Sequence, residues 1–205
     1  MAVGIIESNE QLREQYVPAS ERARRKTLGR LDVHCRRFIA LSPFLCLGTS
    51  SEAGGDVSPR GDRPGFVHVL DDATLGIPDW PGNNRLDSFE NLLVNANVGL
   101  LFLIPGVDET LRVNGVERIS VDAELLARWD TEGKRPKSVI VVAVREAYLH
   151  CGKALIRSKL WHDDYKVERA ALPSYGQMLK DQIEIAESVA EMDRSVAEGY
   201  SKGLY

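Results

Sequence analysis

The chain has 205 residues, of which 43% are hydrophobic and 27% are charged, and its formal net charge is −4 at pH 7. This balance is typical of a globular protein and excludes a largely disordered chain. The negative net charge argues against a protein that binds nucleic acid. Because the sequence contains no run of about 18 apolar residues, we expect no membrane partner either.

The cysteines and histidines do not indicate a metal site. Cys35, Cys46 and Cys151 are far apart, and the four histidines lack the spacing of a ligand motif. The N-terminus has no basic segment followed by an apolar core, as a secretory signal would. We therefore expect a cytoplasmic protein with free thiols and no metal.

Residues 1–37 predict a helical extension. Ser8 and Gln11 have the spacing of a capping box, and Ser20 is a second candidate N-cap. Residues 22–37 contain seven basic residues and one acidic residue. This segment is either a solvated helix face or an anion-binding arm.

Residues 38–161 predict an antiparallel barrel or sandwich, because short apolar runs alternate with turn residues. The pair Asn114-Gly115 is the strongest hairpin signal, since both residues tolerate a positive φ. Helical insertions are expected at residues 87–95 and 122–129. The predicted strands are Phe44–Thr49, Gly65–Leu70, Thr74–Ile77, Val98–Ile104, Thr110–Val113, Val116–Ile119 and Ser138–Val144.

Residues 162–205 predict a second helical extension, which forms one structural unit with the rest of the chain. Five apolar residues recur at helical spacing and would share one helix face. This face packs either on the barrel or on a partner subunit, and the sequence does not separate the two. The residues are Met178, Ile185, Val189, Met192 and Val196.

A first candidate binding segment is Ser58-Pro59-Arg60-Gly61-Asp62. Together with Val57 it places a guanidinium and backbone amides near one strand, which suits a planar ligand or a phosphate. The alternative is a β-turn with charges that face solvent.

A second candidate lies at the start of the predicted helix at residues 87–95. Asp87 and Ser88 occupy the expected N-cap, and Arg85 precedes them. A helix N-terminus, a hydroxyl and a fixed cation together predict a phosphate pocket. The alternative is a capped helix with an exposed arginine.

A third candidate follows the last predicted strand. Its cations and its serine lie next to a tryptophan, which can cover an aromatic ligand. The alternative is a polar surface segment that the tryptophan anchors. The residues are Lys153, Arg157, Ser158, Lys159 and Trp161.

These segments together resemble the flavoproteins related to pyridoxamine 5′-phosphate oxidase, over about residues 38–161. The resemblance depends on the combination, because each motif alone is short. The motifs are Ser58-Pro59-Arg60-Gly61-Asp62, Pro64-Gly65-Phe66-Val67, Asp71 to Thr74-Leu75, Pro78-Asp79, Gly82-Asn83, Arg85, Asp87-Ser88, Asn91, Gly99 to Gly106, and Thr110 to Gly115.

The resemblance implies a mainly β, α+β fold: an antiparallel FMN-binding split β-barrel of Greek-key type with N- and C-terminal helices. It also implies a homodimer with FMN at the subunit interface, and an FMN-dependent oxidoreductase that takes a small-molecule substrate or electron donor. The flavin carries the electrons in such a protein, so no catalytic side chain is assigned.

The resemblance further implies the site residues. The strand Val57–Asp62 would lie along the isoalloxazine ring, and Arg85 and Ser88 would hold the phosphate. The third candidate segment would approach from nearby or from the partner chain. The candidate cofactor-binding residues are Val57, Ser58, Pro59, Arg60, Asp62, Arg85, Ser88, Asn91, Lys153, Arg157, Ser158, Lys159 and Trp161.

The sequence departs from the family pattern at residues 154–159. Ala-Leu-Ile-Arg-Ser-Lys stands where a typical pyridoxamine phosphate oxidase has an Arg-Leu-Ser-x-Arg type segment for the substrate phosphate. This argues against oxidation of vitamin B6 phosphates. The alternatives are a non-catalytic flavin carrier or sensor, and a barrel that uses deazaflavin or haem.

Overall fold

The computed structural model describes residues 4–202. Residues 1–3 and 203–205, with which the two predicted extensions begin and end, lie outside the described residues. The strands of residues 4–202 are β1 (Phe44–Ser51), β2 (Gly54–Gly61), β3 (His68–Val69), β4 (Thr74–Asp79), β5 (Asn97–Leu103), β6 (Thr110–Ser120) and β7 (Ser138–His150). The α-helices are α1 (Asn9–Gln15), α2 (Glu21–Arg25), α3 (Val33–Leu41), α4 (Asp87–Val94), α5 (Ala123–Leu126), α6 (Lys153–Ser158), α7 (Tyr175–Gln182) and α8 (Val189–Lys202).

The strands in this part of the chain form one antiparallel sheet in the order β2-β1-β5-β6-β7-β4-β3. β5, β6 and β7 are consecutive neighbours, and β4 returns to pair with β7. This connection is a Greek key. The predicted antiparallel α+β split barrel is therefore confirmed, although the sheet does not close, because β2 and β3 remain its two edges.

The core lies against one face of the sheet, and alternate residues of β1, β5 and β6 point into it. α3 and α4 add apolar side chains to it. Fully buried side chains from five strands meet there, and they are the main stabilising contribution of the fold. They include Leu45, Leu47, Leu75, Ile77, Leu100, Phe102, Leu111, Val113, Ile140 and Val142.

The predicted hairpin at Asn114-Gly115 is wrong. Both residues lie inside β6, which continues from Thr110 to Ser120, and the register against β7 shifts between them. A Cβ on Gly115 would lie 2.4 Å from the backbone oxygen of Ala143. Glycine is therefore needed for the close approach of two strands at a β-bulge, and a turn is not formed.

Two other predicted strands have different lengths. Between Gly65 and Leu70 the strand is restricted to His68–Val69. Phe66 and Val67 precede it and are buried in the core instead. The strand that was expected to end at Val144 runs on to His150.

The helix caps at the N-terminus are confirmed. The Gln11 backbone N–H donates to Ser8 Oγ at 3.3 Å, and the Ala23 backbone N–H donates to Ser20 Oγ at 3.2 Å. The helix that follows, α3, contributes Cys35, Phe38 and Ile39 to the core.

The prediction that the five apolar residues of the C-terminal extension share one helix face is wrong. The chain forms two helices there, α7 and α8, with residues 183–188 between them. Ser188 begins the second helix as part of a capping box. The Glu191 backbone N–H lies 3.3 Å from Ser188 Oγ, and the Glu191 carboxylate accepts from the Ser188 backbone N–H at 2.8 Å.

Of the helices in the described residues, none has the length and apolar character needed to cross a membrane.

Candidate functional site

A cleft of about 240 Å³ opens between β2 and the end of β4. The loop between β4 and α4 supplies most of its lining, and residues of β2, β4, α4 and the start of β7 supply the rest. Three of them are cations and two are large aromatics, whereas one is a carboxylate. The lining residues are Arg60, Asp79, Trp80, Gly82, Asn83, Asn84, Arg85, Leu86, Phe89, Lys137 and Ser138.

Arg60 is the most enclosed cation of the cleft. Its Nη1 atom lies 3.4 Å from Asp79 Oδ1, and the two side chains are 25% and 16% exposed. Its guanidinium lies 5.8 Å from the centre of the Phe89 ring. Arg60 Nε is buried and has no hydrogen-bond partner among the described residues. A buried donor of this kind is costly unless a ligand accepts from it.

Asp79 has the opposite charge and is half buried. Burial raises the pKa of its carboxyl, while the positive charges of Arg60 and Lys137 lower it, and burial has the larger effect. The net effect is a raised pKa. Of the three cations of the cleft, Arg60 and Arg85 form ion pairs, with Asp79 and Asp87, whereas Lys137 forms none among the described residues.

The loop between β4 and α4 is fixed by its asparagines. Asn83 Oδ1 accepts from the backbone N–H of Arg85 at 3.0 Å. Asn84 has a φ of 57°, a left-handed conformation that asparagine tolerates, and its side chain accepts from Lys137 Nζ at 3.2 Å. The Arg85 side chain is 77% exposed and forms an ion pair with Asp87. This loop therefore carries Arg85 to the cleft, and Asn84 joins the loop to Lys137, which directly precedes β7.

The predicted N-cap of α4 at Asp87 and Ser88 is wrong. Leu86 occupies the cap position without a side-chain hydrogen bond, and Asp87 is the first helical residue. Asp87 pairs with Arg85 instead. Ser88 is buried, and its Oγ lies 2.8 Å from Ser58 Oγ and 3.3 Å from a carboxylate oxygen of Asp56. Competing polar partners thus explain why neither side chain caps the helix.

The candidate residues of β2 divide between the two faces of the strand, because side chains alternate along it. Ser58 and Arg60 point toward α4 and the cleft, whereas Val57 and Pro59 are exposed on the outer face. Pro59 has no backbone N–H, which an edge strand tolerates. Of the next residues, Asp62 lines a second cleft with His68 and Trp129.

The remaining candidate on α4, Asn91, does not line the cleft. Its Nδ2 atom donates to Thr49 Oγ1 on β1 at 3.2 Å. This hydrogen bond ties α4 to β1 and so helps to fix the helix beside the cleft.

The third candidate segment lies at the other end of β7. Ser138, at the cleft, is the first of the 13 residues of β7, and the segment follows the last of them, a path of about 40 Å at 3.3 Å per residue. Trp161 Nε1 donates to the backbone oxygen of Val107 at 2.9 Å, and Lys159 pairs with Asp164 at 2.9 Å. Within one chain, the structure does not bring this segment to the cleft. Its residues are Lys153, Arg157, Ser158, Lys159 and Trp161.

Four charged or aromatic residues of the cleft were not among the candidates from the sequence, and they are Asp79, Trp80, Phe89 and Lys137. Lys137 lies in the loop before β7 and reaches the cleft because β7 pairs with β4, which no local motif indicates. Trp80 directly follows β4 and the Pro78-Asp79 motif, so this motif could have identified Trp80 from the sequence.

In the described part of the chain, no group of three or more potential metal ligands occurs.

The curled antiparallel sheet and the cation-lined cleft at its open edge define a split-barrel protein of the α+β class. A sequence model of the family described as pyridoxamine 5′-phosphate oxidase matches residues 31–151, more than half of the chain. The chain therefore belongs to the pyridoxamine 5′-phosphate oxidase family. Comparison with curated proteins gives no match.

Several solved structures are similar to the chain. The HupZ protein of Group A Streptococcus is 18% identical, with a TM-score of 0.47, over 58% of this chain and 92% of that one. An FMN-binding protein from Syntrophomonas wolfei is 16% identical, with a TM-score of 0.45, over 57% and 83%. The FAD binding protein from Mycobacterium smegmatis is 16% identical, with a TM-score of 0.42, over 60% and 97%.

Proposed function

We propose that the cleft binds FMN and that the protein is an FMN-dependent oxidoreductase acting on a small molecule. The proposal depends on the residues that line the cleft, together with the membership of the chain in the pyridoxamine 5′-phosphate oxidase family. Arg60, Arg85 and Lys137 provide positive charge, and Trp80 and Phe89 provide aromatic surface. A flavin mononucleotide has the complementary parts, which are an anionic phosphate and a planar ring.

The residues present fit such a ligand. Arg60 Nε is a buried donor without a hydrogen-bond partner among the described residues, and Arg85 is largely exposed, so both can donate hydrogen bonds to an anionic or polar group. Charge-assisted hydrogen bonds to phosphate are among the stronger ones. In the proposal, Arg85 holds the phosphate. Ser88 assists when its hydroxyl donates to the phosphate in place of Ser58 Oγ. Asn91 keeps α4 in place through Thr49.

FMN, when bound, supplies hydride or single-electron transfer. The chain positions it. The strand Val57–Asp62 would carry the ring along the free edge of the sheet. Because Pro59 removes one backbone donor from this strand, we expect the remaining N–H groups of β2 to determine the polarity at the ring.

We propose that two copies of the chain complete the site. A cleft of about 240 Å³ is smaller than typical ligand pockets, which start at roughly 300 Å³. The outer face of β2 and β1 is apolar and uncovered, since Val57 is 67% and Phe44 is 37% exposed. A partner on this face would bring its own third segment, from Lys153 to Trp161, toward the cleft.

A second candidate is a flavin carrier or sensor without catalysis. Among the cleft residues that the structure describes, the sole carboxylate, Asp79, is already paired with Arg60, so no free general base faces the cleft. Stopped-flow mixing of the flavin-loaded protein with NADH or NADPH separates the two functions. Fast reduction followed by turnover supports the oxidoreductase, and slow reduction by both donors supports the carrier.

A competitive titration tests the choice of cofactor. The purified chain, freed of any bound ligand, is titrated with FMN, riboflavin, FAD, a deazaflavin and haemin, and binding is followed by fluorescence quenching or absorbance. Two of the similar structures are named for FMN and FAD, so these two are the first to compare. We expect FMN to bind most tightly. If FMN does not bind, or if haemin or the deazaflavin binds more tightly, the assignment of FMN is wrong.

A further inference from the structure

We propose a second binding site, for a phosphate-bearing small molecule, on the outer face of β6 and β7. Four side chains that the flavin proposal does not use meet there. Arg112 and Tyr148 are directly opposite each other in the register of the two strands. Lys26 follows α2, and His150 ends β7.

The other three side chains surround the Tyr148 ring. Lys26 Nζ lies 5.3 Å from the ring centre, the Arg112 guanidinium 5.8 Å, and the His150 ring 5.9 Å. The segment that carries Lys26 is held in place, because Leu28 exchanges two backbone hydrogen bonds with Ala147, at 3.0 and 2.8 Å. The backbone that carries Lys26 is therefore attached to the sheet, and Arg112 is itself a residue of β6.

The positive charges of this cluster are not neutralised within the chain. No carboxylate of the described residues forms an ion pair with Lys26, Arg112 or His150. The neighbouring acid on the same face, Glu146, accepts a hydrogen bond from Asn114 at 3.1 Å instead. Like charges held close together repel each other, and a bound anion would relieve that repulsion.

The hydrogen bonds leave donors for such an anion. Arg112 Nη1 donates to the Tyr148 hydroxyl at 2.9 Å, so the Tyr148 O–H proton remains to be donated elsewhere. Lys26 uses one of its three protons on the backbone oxygen of Leu149, at 2.8 Å. The remaining N–H groups of Arg112 and the ring of His150 add further donors.

The charge of the cluster matches a phosphate monoester. Lys26 and Arg112 carry two permanent positive charges, and a phosphate monoester carries about two negative charges at neutral pH. Burial lowers the pKa of His150, and the charges of Arg112 and Lys26 lower it further. The lowered pKa favours the neutral ring of His150, which offers one N–H donor and one acceptor nitrogen.

The site is separate from the flavin cleft within one chain. Nine residues of β7 lie between Tyr148 and Ser138, which borders the cleft. This is about 30 Å along the strand. The proposal therefore does not depend on whether the cleft binds FMN.

An NMR titration of the full chain with inorganic phosphate tests this site. The chain has four histidines, and His150→Gln assigns the ring signals of His150. At constant ionic strength, we expect phosphate to shift these signals in a saturable way. Arg112→Gln should weaken the binding by about tenfold or more, because it removes a charge-assisted hydrogen bond, and Lys26→Gln should weaken it to a smaller extent.

Two variants serve as matched controls. Arg118→Gln removes an exposed arginine from the same strand and should leave the phosphate affinity unchanged. Arg85→Ala removes a cation of the flavin cleft and should leave the His150 response unchanged, which separates the two sites. The proposal is overturned if phosphate does not shift the His150 signals of the unmodified chain. Equal affinities of Arg112→Gln and Arg118→Gln would overturn it as well.

Discussion

Arg60 and Asp79 form an ion pair across the open side of the barrel. Arg60 belongs to the edge strand β2, and Asp79 ends β4, near the opposite edge of the sheet. The two edges share no backbone pairing, and this ion pair is a direct side-chain contact between β2 and β4. The pair also borders the candidate flavin cleft, and it therefore links the shape of the sheet to the shape of the site.

We expect Arg60→Met to destabilise the fold by roughly 1–3 kcal/mol at neutral pH, because the Asp79 carboxylate would lose its partner while still half buried. Burial already raises the pKa of Asp79 in the folded chain, and loss of Arg60 would raise it further. A raised carboxyl pKa means that the folded state binds more protons than the unfolded state. Stability is therefore lost as the pH rises through this range.

The destabilisation by Arg60→Met should consequently be larger at about pH 7 than at about pH 5, where Asp79 becomes protonated more readily. Urea unfolding at the two pH values measures the difference. Arg118→Met removes an exposed arginine of β6 and is the control. An equal loss of stability at both pH values would show that Asp79 does not carry the effect.

Arg85→Ala tests the phosphate contact. We expect this variant to bind FMN about tenfold to a hundredfold more weakly, since a charge-assisted hydrogen bond to phosphate is lost. Riboflavin has no phosphate, so its affinity should change little. Fluorescence titration with both flavins gives the two values. An unchanged affinity for FMN would remove Arg85 from the proposed site.

Val57→Asp tests the proposed subunit interface. Val57 is 67% exposed on the outer face of β2, and a buried charge there would oppose association. We expect the unmodified chain to sediment as a dimer and the variant to shift toward the monomer, with weaker FMN binding. Val121→Asp is the control, because Val121 is 73% exposed just beyond β6. If both variants remain dimeric, the interface does not include this face.

Gly115→Ala tests the β-bulge. An added Cβ would lie 2.4 Å from the Ala143 backbone oxygen and 2.8 Å from a methyl carbon of Val142. We expect a loss of at least about 1–3 kcal/mol in the free energy of unfolding, because the strands must move apart. Gly99→Ala is the control, since its Cβ would be 3.5 Å from the nearest atom, Asn114 Oδ1. Thermal unfolding of the two variants should differ accordingly, and similar midpoints would contradict the account.

Local sequence patterns predicted those features that depend on local interactions. The caps at Ser8 and Ser20, and the helix at residues 87–95, follow from hydrogen bonds and apolar spacing within a few residues. The family resemblance added the split barrel, which no single motif determines. Apolar runs such as Phe44–Thr49 were identified because a buried strand needs them.

The failures arise where distant residues override a local signal. Asn114-Gly115 has the chemistry of a turn, but the close approach of Ala143 uses the glycine for a bulge. Asp87 has the chemistry of an N-cap, but Arg85 engages its side chain. Lys137 reaches the cleft through the pairing of β4 with β7, which a reading along the chain does not show.

The identity and amount of flavin in the purified chain test the central proposal most directly. The protein is purified without added cofactor, its absorption spectrum is recorded, and the released small molecules are identified by mass spectrometry. A second portion is incubated with FMN and freed of unbound ligand. The account predicts a flavin spectrum and close to one FMN for each chain after incubation. A colourless protein that retains no FMN after incubation would contradict it.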